Sequence, residues 1–120
     1  MNITTFFKLV KAPLKNNRTS WGAVRKDGKV VLRVWQHRIS GMEVLVKHNG
    51  MESGPGRTER SAHLATGKNF YCVVCIRNHD KGTIQSFDKR ELWYGNQLRT
   101  DDQGNVWLKL LHRVPVGNLL

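Results

Sequence analysis

The most constraining feature of the sequence is an unbroken apolar segment that follows Asn69 and ends at Arg77. It reads Phe-Tyr-Cys-Val-Val-Cys-Ile and contains neither glycine nor proline. An apolar run of this length, rich in aromatic and β-branched residues, is typical of a fully buried strand. The sequence therefore predicts a strand over residues 69–77 at the centre of a sheet.

Both cysteines of the chain, Cys72 and Cys75, lie in this segment. Side chains alternate along a strand, so residues three apart point to opposite faces of the sheet. We therefore expect two reduced thiols that share neither a disulfide nor a metal ion. A Cys-x-x-Cys pair needs a second pair of ligands to hold zinc, and His79 alone does not supply one. The sequence predicts no metal site and no other cofactor.

A second clear signal is the Asp27-Gly28 dipeptide, which separates residues 20–26 from residues 29–36. This pattern is typical of a β-hairpin with a two-residue turn. The turn predicts that Gly22 faces Arg33 and that Ser20 faces Trp35. One face of the hairpin would then carry Trp21, Ala23, Arg25, Val30, Leu32 and Val34, and the other Ser20, Gly22, Val24, Val31, Arg33, Trp35 and His37.

In the rest of the chain, short segments with a regular spacing of apolar residues alternate with turns. One helix, capped by Thr4 or Thr5, is predicted before Pro13, and a second over residues 57–66, closed by Gly67. Further strands are predicted at 42–47, 83–87, 97–100 and 106–114, with a loop at 49–56 and a helical turn at 88–92. These elements favour a single α+β, β-rich domain over residues 1–120, a compact curved sheet or small barrel of about six strands with two short helices.

The charge of the chain is strongly unbalanced, with 20 lysines and arginines against 9 acidic residues and a net charge of +11. Residues 1–50 carry ten of the basic residues and only two of the acidic ones. Such an excess repels itself in a folded domain, and a polyanion relieves it because phosphate neutralisation releases counterions. We therefore expect DNA or RNA as the partner. A basic protein with no such partner is the alternative.

The candidate contacts are basic side chains for phosphate groups and tryptophans for bases. In the predicted hairpin, Gly22 leaves open space beside Arg33 and Trp35, so that the indole stacks on a base while the guanidinium holds a phosphate. Trp107 should share a strand face with Lys109 and is a second stacking candidate. The alternative is a buried Trp35 and a solvated Arg33. The predicted nucleic-acid contacts are Lys8, Lys11, Lys15, Asn17, Arg18, Arg33, Trp35, His37, Arg38, Arg57, Arg60, Trp107 and Lys109.

Three further groups of residues are weaker candidates. Trp93 and Tyr94 would line a pocket or close the core. Tyr71, Arg77 and His79 would share the polar face of the central strand. Arg57, Arg60 and His63 are spaced along one side of the predicted second helix, as in an arm that contacts phosphates, although a solvated helix face has the same pattern.

Carboxylates and histidines are scattered along the chain and form no catalytic pattern, so no catalytic residue is predicted. Two alternatives to simple nucleic-acid binding stay open: a small metal-dependent nuclease, and an adaptor that binds an acidic protein partner through its tryptophans. The sequence contains no apolar run of about 18 residues and no secretory signal. We expect a cytoplasmic protein without membrane contact.

Two segments carry a resemblance to known proteins. They are Ser20-Trp21-Gly22-Ala23 and the stretch Gly28-Lys29-Val30-Val31-Leu32-Arg33-Val34-Trp35-Gln36. They resemble small bacterial or phage proteins associated with restriction and defence. The basic β-rich architecture is also similar to PUA-like folds, including EVE-type readers of modified bases. The resemblance implies recognition of nucleic acid, with an aromatic-lined pocket that accepts an extruded or modified base.

Overall fold

The computed structural model describes residues 1–16, 20–48, 57–66 and 68–120 of the chain. Their helices are α1 (Ile3–Leu9) and α2 (Arg57–Thr66), and two 3₁₀ helices span Gln36–Arg38 and Val116–Leu119. The strands are β1 (Gly22–Val24), β2 (Val30–Trp35), β3 (Ile39–Ser40), β4 (Glu43–Lys47), β5 (Phe70–Arg77), β6 (Ile84–Phe87), β7 (Glu91–Thr100) and β8 (Val106–Pro115). None of the described helices is long and apolar enough to cross a membrane.

The strands form one curved, open sheet in the order β1-β2-β5-β7-β8-β4-β3, and β6 pairs with β5. The predicted α+β, strand-rich class is confirmed, and the described residues form eight strands where about six were predicted. The apolar segment forms β5, which lies inside the sheet between β2 and β7. Among the described residues, β2 and β5 are the parallel pair and the other pairings are antiparallel.

The core consists of two apolar clusters on opposite faces of the sheet. The inner cluster includes Val30 and Leu32 of β2, Cys72 of β5 and Val44 of β4. Strands β2 and β4 are not neighbours in the sheet, so the sheet must curl to bring them together. The outer cluster packs Phe6, Phe7 and Val10 of the N-terminal helical segment against Val31, Val73 and Cys75, among others. The two thiols therefore lie on opposite faces, as predicted, and both are free.

Helix α1 begins earlier than predicted. Asn2 is its N-cap, and the Asn2 side chain accepts a hydrogen bond of 2.8 Å from the backbone N–H of Thr5. Thr4 and Thr5 lie inside the helix, so the prediction of either as the cap was wrong. The earlier start still directs Phe6, Phe7 and Val10 into the core.

The predicted helical turn at 88–92 is also wrong. The side chain of Asp88 accepts hydrogen bonds from the backbone N–H groups of Arg90 and Glu91, which closes a tight turn. Strand β7 then begins at Glu91 and runs to Thr100, well before the predicted start at residue 97. The other predicted elements, including α2 and the strands at 42–47, 83–87 and 106–114, agree with the structure within a few residues. The predicted loop at 49–56 and the closing Gly67 lie outside the described residues.

The hairpin register differs from the prediction by one residue. The backbone N–H of Arg25 donates to the carbonyl of Lys29, so the loop contains three residues and Gly28 adopts a φ of +86°. The observed pairs are Gly22 with Leu32, Ala23 with Val31, and Val24 with Val30. The shift of one residue means that each side chain of β1 shares a sheet face with the β2 side chains that were predicted to lie on the opposite face.

Candidate functional site

Trp21 is the centre of a group of aromatic and cationic side chains beside β2. The guanidinium carbon of Arg33 lies 4.9 Å from the centroid of the Trp21 ring, and that of Arg60 lies 5.2 Å from it. The ring of Trp35 meets Trp21 edge-on, with 5.7 Å between centroids. Two arginines that are distant in the sequence therefore share one indole ring.

The open space predicted beside Arg33 is absent because Gly22 does not face it. Gly22 faces Leu32, where an added Cβ would lie only 2.6 Å from the carbonyl oxygen of Val31. Trp21, which was predicted to lie on the opposite, core-facing side of the hairpin, occupies the position next to Arg33 and Trp35. Arg33 and Trp35 do share a face of β2, as predicted, and both are only partly exposed.

Arg33 is a largely buried cation rather than a solvated edge charge. Burial is the main cause that lowers the pKa of the Arg33 guanidinium. The Cys75 thiol acts in the opposite direction, and the positive charge of Arg60 lowers the pKa further. The Arg33 Nε is buried and has no hydrogen-bond partner among the described residues. Burial also raises the pKa of Cys75 to about 12, so the neighbouring thiol is not a thiolate at neutral pH. An anion placed here would offset the cost of keeping Arg33 charged.

The group continues beyond the end of β2. His37 lies in the 3₁₀ helix that follows β2 and stacks on Trp35, with 6.0 Å between centroids and 28° between the ring planes. The pKa of His37 is lowered by partial desolvation and then by the positive charges of Arg38, Arg77 and His79. The His37 side chain is nevertheless exposed to solvent.

The parallel pairing of β2 and β5 explains why these residues meet. The carboxyl ends of parallel strands lie at the same edge of a sheet, so the residues that follow β2 come close to Arg77 and to the turn after β5. Asn78 organises this turn, since its side-chain oxygen accepts hydrogen bonds from the backbone N–H groups of Asp80 and Lys81. His79 is held within the turn.

We call this set of residues the aromatic–cationic strip. It consists of three rings, those of Trp21, Trp35 and His37, and of the cationic or titratable groups Arg33, Arg38, Arg60, Arg77 and His79. Sequence reasoning identified Arg33, Trp35, His37, Arg38 and Arg60 as site residues and ranked Arg77 and His79 lower. Tyr71, which was grouped with Arg77 and His79, is instead buried against Tyr94 in the outer core.

Helix α2 does not present an exposed basic arm at Arg60 and His63. Both side chains are buried, with 8% and 9% of their surface exposed. Arg60 faces Trp21 and thereby links α2 to the strip. The predicted exposure of Arg60 was therefore wrong, and its contact with a phosphate stays a prediction. Arg57 begins α2, and its side chain lies outside the described residues.

Trp107 and Lys109 lie apart from the strip on β8, which is separated from β2 in the sheet by β5 and β7. They share a face opposite to the buried Leu108 and Leu110, as predicted. The Trp107 indole N–H donates a hydrogen bond of 3.0 Å to Asp101, and Arg99 lies over its ring. These contacts give Trp107 a structural role, and its stacking on a base stays a prediction.

The remaining predicted contacts lie near the N-terminus. Lys8, Lys11 and Lys15 are exposed, and Lys11 has a φ of +66° where the chain leaves α1. Asn17 and Arg18 lie outside the described residues. The structure therefore shows three accessible lysines, and their contact with nucleic acid stays a prediction.

A separate pocket lies beside the 3₁₀ helix that carries His37. It has a volume of about 360 Å³ and is lined by Gln36, Ile39, Val74, Asp88, Glu91, Leu92, Trp93 and Arg113. Trp93 lines this pocket, as one of the two alternatives for Trp93 and Tyr94 predicts. The guanidinium carbon of Arg113 lies 5.1 Å from the centroid of the Trp93 ring. Tyr94 does not line it and instead donates a hydrogen bond to Asn69.

Across the described ranges, no cluster of three or more His, Cys, Asp or Glu residues is arranged to hold a metal ion.

Comparison of the chain with protein-family models, with curated proteins and with solved structures finds no match. The resemblance to restriction- or defence-associated proteins and to PUA-like readers therefore stays a prediction.

Proposed function

We propose that this protein binds nucleic acid through the aromatic–cationic strip. The observation that carries the proposal is the position of the exposed His37 ring, which stacks on Trp35 where the parallel strands β2 and β5 end, with Arg38, Arg77 and His79 near enough to act on it electrostatically. Like charges gathered at one edge of a sheet raise the energy of the free protein. A phosphate backbone removes this cost and gains entropy from released counterions.

The rings of the strip give the site a second kind of contact. Trp35 supports His37 from one side, so the imidazole forms the outermost ring of a Trp21–Trp35–His37 series. Exposed aromatic rings stack on nucleobases with little regard to sequence. We infer that phosphates contact Arg38, Arg77 and His79 while a base stacks on His37. Arg33 and Arg60 fix Trp21 behind these residues and add positive potential.

We propose DNA or RNA as the partner of the strip and the cytoplasm as the location of the protein. The proposed function differs from the nuclease alternative because it requires no metal ion and no cleavage. It differs from the adaptor alternative because nucleic acid, rather than an acidic protein, must compete for the strip.

Fluorescence anisotropy with labelled single- and double-stranded DNA and RNA tests the proposal. The wild type should bind at least one of these, and Arg77→Ala should weaken binding by about tenfold because a charge-assisted contact to phosphate is lost. Lys68→Ala removes the same charge from an exposed position before β5, at the opposite end of that strand from Arg77, and is the matched control.

Equal weakening by the two substitutions would show that binding is spread over the basic surface and would contradict a role for the strip. Absence of binding to all four nucleic acids at moderate salt would contradict the function itself. A gel of the recovered oligonucleotides in the presence of magnesium checks that they stay intact.

A further inference from the structure

The outer end of the strip brings two permanent cations, Arg38 and Arg77, and two imidazoles to one edge of the sheet, whereas one internal phosphate carries a single negative charge. His37 and Arg38 come from the 3₁₀ helix after β2, Arg77 from the end of β5, and His79 from the turn that follows. An internal phosphodiester has one negative charge and two free oxygens. A terminal phosphomonoester carries a charge of about −1.5 to −2 at neutral pH and three accepting oxygens.

We propose that His37, Arg38, Arg77 and His79 form a site for the terminal phosphate of a nucleic-acid strand, with the terminal base stacked on His37. The inference rests on the proposed function of the strip and specifies its substrate as a phosphorylated strand end. Two arginines and two imidazoles supply enough donors for all three oxygens of a phosphomonoester. The second face of the His37 ring, which Trp35 does not cover, receives the terminal base.

The turn after β5 fixes the geometry of this site. Gly82 has a φ of +67°, and a Cβ at this position would lie 3.3 Å from a terminal guanidinium nitrogen of Arg77. The turn therefore folds back against Arg77, and its backbone bonds from Asn78 to Thr83 and from Gly82 to Asn78 close it. Arg77 and His79 are thus held at the sheet edge before any ligand arrives, which lowers the entropic cost of binding.

Binding of a dianion at this site should be coupled to proton uptake by His37. The groups that face His37 are Arg38 of its own 3₁₀ helix, Arg77 of β5 and His79 of the following turn, with Trp35 stacked beneath it. Partial desolvation and these three groups disfavour the imidazolium, whereas a bound dianion stabilises it. Binding should therefore strengthen as the pH falls from about 7.5 to 6.5 and gain little more near 6, where the phosphate itself takes up a proton.

The experiment compares one oligonucleotide sequence in four forms: with a 5′-phosphate, with a 3′-phosphate, with two hydroxyl ends, and as a closed circle. We expect at least one phosphorylated form to bind about tenfold more tightly than the hydroxyl form at pH 7. His37→Phe retains an aromatic ring but loses the imidazole, so it should abolish both this preference and the gain at lower pH. Lys68→Ala, which removes an exposed cation at the opposite end of β5 from Arg77, should retain both.

The possible outcomes separate the two proposals. Equal, salt-sensitive binding of all four forms by the wild type would overturn end recognition and leave the proposed function standing. Binding of none would overturn both. A preference for phosphorylated ends that survives in His37→Phe would contradict the assignment to this site. Circular dichroism and thermal unfolding of His37→Phe verify that this exposed substitution leaves the protein folded.

Discussion

At the residue scale, Gly22 shows how closely β1 and β2 approach each other. A Cβ there would lie 2.6 Å from the carbonyl oxygen of Val31 and 2.9 Å from a methyl carbon of Leu32. The first of these atoms belongs to the backbone of a central part of the sheet, which has little freedom to move. The position therefore excludes any side chain for steric reasons.

We predict that Gly22→Ala lowers the free energy of unfolding by about 1–3 kcal/mol, the usual cost of overpacking. Gly117→Ala is the control, because a Cβ at Gly117 meets no atom within 4 Å and the expected change is within about 0.5 kcal/mol. Urea unfolding followed by tryptophan fluorescence measures both. Equal free energies of unfolding for the two variants would show that β1 shifts away from β2 at this point and accommodates the added methyl group.

The two cysteines form a second prediction at this scale. Burial raises the pKa of both thiols to about 12, and only the thiolate reacts rapidly with disulfide reagents. Native protein at pH 8 should react with Ellman's reagent about a hundredfold or more slower than protein in concentrated guanidinium chloride. Ser86→Cys, which places a thiol on an exposed position of β6, should react quickly and serves as the control. Rapid labelling of two thiols in the native wild type would contradict their burial.

At the element scale, the hairpin of β7 and β8 is held by side chains at both ends of its loop. Asp101 accepts hydrogen bonds from the backbone of Gln103 and Asn105 and from the Trp107 indole. Farther along the hairpin, Arg99 forms a bidentate ion pair with Glu43. The Arg99 guanidinium donates two hydrogen bonds of 3.0 Å to the two carboxylate oxygens of Glu43. These contacts tie the hairpin to β4 and explain why Trp107 is a structural residue.

We predict that Trp107→Phe raises the pKa of Asp101. The hydrogen bond from Trp107 is the main cause that lowers this pKa below its ordinary value of 3.8, with the bonds from Asn105 and Gln103 contributing less. NMR titration of the Asp101 carboxyl group measures the change. Trp93→Phe removes an indole that makes no contact with Asp101 and should leave this pKa unchanged.

The same substitution should change the dependence of stability on pH. A carboxyl group whose pKa is lower in the folded state stabilises the fold above the pKa of the unfolded chain, and this contribution disappears as the pH falls through the folded value. The stability deficit of Trp107→Phe should therefore be largest above about pH 4 and should shrink below it. A deficit that is constant from pH 6 to pH 2.5 would contradict the role of the Asp101 bond.

The elements also show which parts of the site could be predicted. Alternation along β5 was sufficient to place Cys72 and Cys75 on opposite faces, and alternation along β2 to place Arg33 and Trp35 on the same face. Alternation does not reveal which strands are neighbours. Arg77 and His79 could be joined to His37 only through the parallel pairing of β2 with β5, for which the shared apolar character of these strands is a weak signal.

At the scale of the whole molecule, a net charge of +11 is distributed over a body of 38 × 31 × 26 Å. Screening in physiological salt reduces the interaction between exposed charges beyond about 8 Å. Repulsion is therefore strongest where cations are crowded, as around His37, and binding energy from a polyanion should be greatest there.

We predict that the logarithm of the binding constant for nucleic acid falls linearly with the logarithm of salt concentration. Arg77→Ala should reduce the magnitude of this slope by about one, because one phosphate contact and its counterion are lost. Lys68→Ala should leave the slope unchanged if the strip is the binding site. Anisotropy titrations at four salt concentrations determine the slopes. An unchanged slope for Arg77→Ala would show that Arg77 does not contact a phosphate.

The sequence by itself determined the strand-rich class, the buried central strand, the extent of α2 and the excess of positive charge. These properties follow from local patterns, since burial and periodicity act on neighbouring residues in the chain. Only the tertiary structure decided the hairpin register, because the three-residue loop and the left-handed Gly28 moved Trp21 to the face of Arg33. It also decided that Arg60 is buried on Trp21 and that Arg77 and His79 lie within electrostatic range of His37. Those contacts join segments far apart in sequence, and their free energy depends on which strands and helices pack together rather than on any local pattern.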